Sequence, residues 1–239
     1  MLKLRLLYIT FNFFAKDIMM ENKKKMTVSR VLLVLIAVCI FVIGALAVKE
    51  ALISPAERLV LAVQSLNAKE YKKAERNFLI VEETGDAEQR LSAAYYLAQL
   101  YHKGAEGFAA NGQKAAIFYE KAGMLGLPEA QYQLALMYDT GDKIPENRSK
   151  ALLWMNEAAK QGMPEALYSL GVWIERGYMG PEIPMEKVVA LYEGAAAQGH
   201  KNAMTSLVSI YADGFGPFPL NVKKSVYWKS RLEELNQKQ

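Results

Sequence analysis

The 239-residue sequence predicts an all-α fold, a run of repeated helix pairs preceded by a single transmembrane helix, on three observations. A stretch of eighteen residues near the N-terminus carries no charge. Beyond it, Gly104, Gly141, Gly177 and Gly214 recur at intervals of 37, 36 and 37 residues. Ahead of each glycine, apolar and small side chains return at offsets that share one face of a helix.

The charge-free stretch, VLLVLIAVCIFVIGALAV, occupies 31–48. About 20 apolar residues span a bilayer core, so this run suffices with modest snorkelling at its ends. Lys23, Lys24, Lys25 and Arg30 precede it, whereas only Lys49 follows closely. That asymmetry keeps 1–30 in the cytoplasm and places the rest of the chain outside it. The rival reading is a cleaved export signal, because Ala45-Leu46-Ala47 has the small-x-small form that precedes cleavage, which would leave a soluble periplasmic or secreted protein starting at Val48. Residues 1–20 show no repeat pattern and are expected to be poorly ordered or to lie upstream of a true start at Met19, Met20 or Met26. Cys39 stands alone inside the apolar run, so no intrachain disulfide forms.

Charge is distributed unevenly. Residues 1–48 hold seven Lys/Arg against Asp17 and Glu21; the remaining 191 hold 29 − 7 = 22 basic and 25 − 2 = 23 acidic side chains. The basic character belongs to the N-terminus, so the repeats offer no electrostatic footprint for nucleic acid.

Within the repeats the helices ahead of the glycines align column by column. One column is Ala93, Ala130, Ala166 and Ala203; the next is Leu97, Leu134, Leu170 and Leu207. Then come Ala98, Ala135, Gly171 and Val208, and finally Tyr101, Tyr138, Ile174 and Tyr211. Offsets 0, 4, 5 and 8 form a buried stripe, and a closing Gly in the left-handed conformation stops each helix. Lys114, Lys150, Lys187 and Lys224 open the second helices at steps of 36, 37 and 37. Asn111, Asn147 and Asn221 stand three residues earlier, where an Asn side chain caps free N–H groups; Pro184 replaces Asn in the third unit.

The pattern A-x-x-x-L-G/A-x-x-Y-x-x-G, a short loop, then K-A-x-x-x-Y/W-x-x-A-A-x-x-G resembles the Sel-1-like repeat family, a relative of the tetratricopeptide repeat. Four such units occupy 86–235. Residues 55–85 resemble a looser tetratricopeptide-like pair through Tyr71, Ala74 and Phe78, and 236–239 are a polar tail. The fourth unit departs from the pattern at Ser225 and lacks a closing Ala-Ala-x-x-Gly, which suits a terminal cap. The resemblance implies a right-handed α-solenoid of antiparallel helix pairs that holds protein partners. It also implies an adaptor role, which in exported bacterial relatives serves signalling, secretion, polysaccharide assembly or contact with host cells.

In such a superhelix the first helices line the concave side. Offsets 2, 6 and 9 point away from the buried stripe and hold Tyr95, Gln99 and His102; Tyr132, Leu136 and Asp139; Tyr168, Val172 and Glu175. These nine are the candidate residues for a protein or peptide partner. Tyr95, Tyr132 and Tyr168 form an aromatic ladder that either anchors the partner or packs between helices. Loop residues Phe108, Ile144, Pro145, Tyr178, Met179, Phe215, Pro217 and Phe218 are expected to fold back over the helix ends. His102 and His200 have no neighbour at metal-ligand spacing, and no cofactor motif, small-molecule substrate site or acid/base pair for a hydrolase is legible. The sequon Asn147-Arg148-Ser149 reads as a helix cap.

Overall fold

The computed structural model describes residues 28–178, 183–214 and 218–237. Among them are eleven helices and no strand, only an isolated bridge between Ala105 and Phe108. The chain divides into two units, Met1–Arg58 and Leu59–Gln239.

In the first unit α1 (Val28–Ala51) runs through the whole of 31–48. The expectation of a spanning helix is met as a helix and not as a span. No helix among the described residues is long and apolar enough to cross a membrane, and several side chains of this run, including those of the Ala45-Leu46-Ala47 triplet, lie outside the described set. Residues 1–20, with their alternative starts, lie outside it as well. Where α1 ends, Arg58 is buried and donates to the Glu50 carboxylate at 2.9 Å. Helix α2 (Pro55–Asn67) opens with a capping box: the Ser54 hydroxyl accepts from the Glu57 N–H, and the Glu57 carboxylate accepts from the Ser54 N–H.

The second unit continues α2 and adds α3 (Tyr71–Thr84), α4 (Ala87–Lys103), α5 (Gly112–Met124), α6 (Pro128–Thr140), α7 (Arg148–Lys160), α8 (Pro164–Glu175), α9 (Met185–Ala197), α10 (Lys201–Asp213) and α11 (Val222–Gln237). From α3 onward each helix packs on the next one in the chain, the arrangement of a solenoid. The even-numbered α4, α6, α8 and α10 are first helices; α5, α7, α9 and α11 are second helices.

The apolar columns form the core as the spacing requires, except that Tyr138 and Val208 are only half-buried. Ala93, Leu97 and Ala98 are fully buried, as are Ala130, Leu134 and Ala135, and Ala166, Leu170 and Ile174 follow in the third unit. The small column matters most at Gly171, where a Cβ would come within 2.6 Å of the Tyr192 ring. Only glycine lets that ring lie against the α8 backbone.

The helix ends follow the sequence closely. Gly104, Gly141, Gly177 and Gly214 have φ of 66°, 67°, 75° and 72°. At Gly104 a Cβ would also meet the Ala110 nitrogen at 2.8 Å, so its absence serves both the turn and the returning loop. Asn111, Asn147 and Asn221 cap their helices, each accepting from the N–H of the opening lysine at 2.9, 3.0 and 3.1 Å. Asn147 therefore has the structural role expected of it. Pro184 makes no side-chain cap. Phe108 and Ile144 are buried as loop plugs, whereas Pro145 is exposed. Met179 and 215–217 lie outside the described residues.

Candidate functional site

The nine candidate residues lie on the side of the first helices away from the buried stripe. The structure places eight of them half-buried and leaves Glu175 exposed. None of the three ladder tyrosines is fully buried, and none stands clear of its neighbours. The Tyr95 ring lies 6.1 Å from Tyr119, and the Tyr132 hydroxyl lies 3.4 Å from the Ser169 hydroxyl. Tyr168 meets Tyr192 at 5.4 Å and His200 at 4.7 Å. Each ring thus supports the packing of a second helix or of the next unit while keeping one side accessible.

Polar groups are set between the rings. His102 Nε2 is 2.8 Å from the Asp142 carboxylate, and its ring meets Tyr119 edge-on, so the first repeat is joined to the second repeat across the face. The bond from His102 holds the Asp142 carboxyl below its ordinary range. Burial raises the Asp139 carboxyl, with Arg148 and Arg176 opposing that rise and Glu146 adding to it. Glu175 accepts the Tyr192 hydroxyl at 2.6 Å; burial, with this bond, pushes that hydroxyl far above the usual tyrosine range.

Two recesses open on or beside the candidate residues. One of about 310 Å³ lies between the third and fourth units, lined by Glu175, Tyr192, Ser206, Ser209 and Asp213. Another, of about 220 Å³, includes Gln99 with Leu66, Tyr71, Tyr96 and Lys103. Leu136 and Val172 fill the surface between tyrosines and pack on the core from outside. Shallow, mixed aromatic and acidic relief of this kind suits side chains of a polypeptide.

Two recurrent devices, and one that occurs once, were not read from the sequence. Lys114, Lys150 and Lys224 lie over the rings of Tyr101, Tyr138 and Tyr211 at 4.8, 5.1 and 4.7 Å, and donate to their hydroxyls. Ile174 breaks this series; Arg148 of the second repeat stacks instead on Tyr178 of the third, at 4.5 Å. The Gln before a closing glycine ties helices together, Gln161 donating to Gln131 within one repeat and Gln198 to the Gly162 carbonyl of the repeat before it. His200 caps α10, its Nδ1 accepting from the Ala203 N–H at 3.2 Å. The signals were present as matched Lys, Tyr and Gln columns, whose partners lie in different helices.

A family model for the Sel1 repeat matches residues 91–127, 128–163 and 164–200. Residues 91–200 therefore hold three Sel1 repeats. The matched segments run from within α4 to the end of α9, so the ladder tyrosines fall one in each Sel1 repeat. Two solved structures share the fold. A protective antigen present in uropathogenic Escherichia coli strains displaying an SLR fold aligns with TM-score 0.67 and 21% identity, over 80% of this chain. This chain spans 40% of that protein's length. A Sel1 repeat protein from Oxalobacter formigenes aligns with TM-score 0.64 and 24% identity, over 77% of this chain and 72% of its own. Comparison with curated proteins gave no match. Helices α10 and α11 lie beyond the matched segments yet repeat the unit's geometry: Asn221 N–H donates to the Tyr211 carbonyl as Asn147 does to Tyr138 and Asn111 to Tyr101.

Proposed function

We propose that this Sel1 repeat protein is an interaction scaffold whose first-helix face holds a peptide or protein segment, presented from a membrane by α1. The observation that carries the reading is the recurrence of a half-buried tyrosine at one offset in three consecutive repeats, separated by His102, Asp139 and Glu175. Tyrosine presents a large area at low entropic cost, and a ring already braced on one side loses little further freedom when a partner covers the other.

Membrane attachment is supported by the uncharged composition of 31–48, by the helical conformation of α1, and by the basic residues that precede it. On this reading the repeats stand outside the cytoplasm, in the cell envelope. Retention in the membrane fraction through a carbonate wash is the expected result. A soluble mature protein whose intact mass begins at Val48 would instead establish the cleaved, exported form.

The binding face is tested with a photoreactive residue at position 132 in the full-length chain. Discrete protein adducts formed there support the reading. Adducts that form only from exposed second-helix positions, such as 153, contradict it.

A further inference from the structure

A stripe on each second helix lies between its own first helix and the next unit: Gly112 faces Lys143 and Gly123 faces Gln131 of the next unit, while Tyr119 and Tyr192 also meet Tyr95 and Tyr168 of their own. In α5 it is Gly112, Ala116, Tyr119 and Gly123, all buried. In α9 the same positions are Met185, Val189, Tyr192 and Ala196, the last three buried. In α7 they are Arg148, Leu152, Met155 and Ala159, of which Met155 and Ala159 are buried and Leu152 packs on the core. Intervals of 36, 37 and 37 residues bring the stripe to Val222, Val226, Lys229 and Glu233 of α11. There Val222 is 60% exposed and Val226 55%, with Tyr227 and Leu220 beside them at 56% and 60%.

Half of an inter-repeat surface has therefore been kept and half changed. The first two turns remain apolar; the next two carry a cation and then an anion. Glu233 occupies the place of Gly123, where the Gln131 side chain lies so close that a Cβ would sit 3.1 Å from it. A helix with the small, neutral surface of α6 would not settle on that end. A helix of complementary charge would.

We propose that this face of α11 docks a helix of a partner protein, antiparallel to α11 as α6 is to α5, with apolar side chains on Val222 and Val226 and a carboxylate opposite Lys229. The docked helix would turn its N-terminus, the positive end of its dipole, toward Glu233, and its negative end toward Lys223, so the dipole agrees with the charge order of α11. This site is separate from the first-helix face and does not depend on it.

The register of α6 on α5 supplies the probe. Gln131 donates to the Gly123 carbonyl, and Tyr138 shares a recess with Ala116, so position 135 faces the level of Tyr119 and hence of Lys229. The probe is a labelled peptide of residues 128–141 bearing Gln131→Lys and Ala135→Glu. Its control reverses the charges, with Gln131→Glu and Ala135→Lys. Full-length protein in detergent micelles should bind the first peptide saturably and the control at least fivefold more weakly. Val226→Asp should weaken binding at least tenfold at an unchanged melting temperature, because the side chain is exposed. Binding of neither peptide, equal binding of both, or indifference to Val226→Asp overturns the proposal. So does sedimentation showing that Val226→Asp dissolves a self-association of the chain, since a second copy would then be the occupant.

Discussion

The two faces of α4, α6, α8 and α10 are built from the same short helices, yet they obey different rules. On one, Ala, Leu and small residues sit at 0–6% exposure among side chains from neighbouring helices, and each position accepts only what fits. On the other, Tyr, His, Asp and Glu are half-buried or exposed, held by one or two contacts each. The first face sets the spacing of the units. The second inherits that spacing and is free to vary in chemistry, which is how a repeat array obtains a regular surface with an individual pattern.

The contrast is broken most severely from the buried side. Leu134→Ala or Leu170→Ala should each destabilise the repeats by about 2–5 kcal/mol in denaturant unfolding, the usual cost of emptying a packed Leu site. Glu129→Ala, on the first turn of α6, should cost far less, and equality among the three would mean the faces are misassigned. On the opposite side, Tyr132→Ser should cost about 2 kcal/mol or more of partner affinity with little change in melting temperature. Tyr95 and Tyr168 differ here. They brace Tyr119, Tyr192 and His200, so an unchanged stability for all three tyrosines, which a purely exposed ladder would imply, is not expected. Their Ser variants should lose stability along with binding.

Smaller effects sharpen the comparison at the helix ends. Asn147→Ala should cost about 1 kcal/mol, whereas Pro184→Ala, at the corresponding position without a cap, should cost less. His200 gives a pH signature. Burial depresses its folded pKa, and its Nδ1 must be unprotonated to accept from Ala203, so the unfolded chain takes up the proton first. Its contribution is intact above the ordinary histidine range and is lost as pH falls through that range toward the folded value. Replacing His200 by Asn, which caps without titrating, should flatten the melting temperature between about pH 7 and 5.

The legible part of this molecule is its periodic part. Leu97, Leu134, Leu170 and Leu207 announce the core because one period and one helical face fix them together, and the Asn caps follow from three-residue local geometry. Tyr132 and Tyr168 could be placed on a face, but their degree of exposure depends on Ser169, Tyr192 and His200, which come from other helices. The lysine clamp on Tyr101, Tyr138 and Tyr211 escaped for the same reason: its columns were visible separately, while their meeting depends on how the second helix folds back. Ile174 shows that the clamp can be dispensed with where Arg148 and Tyr178 stack instead.

The most direct test of the scaffold account is position-resolved photocrosslinking in intact cells, comparing position 132 on the first-helix face with position 153, an exposed apolar site on α7. The account predicts discrete protein adducts from 132 and none from 153. Adducts from 153 with none from 132 would contradict it.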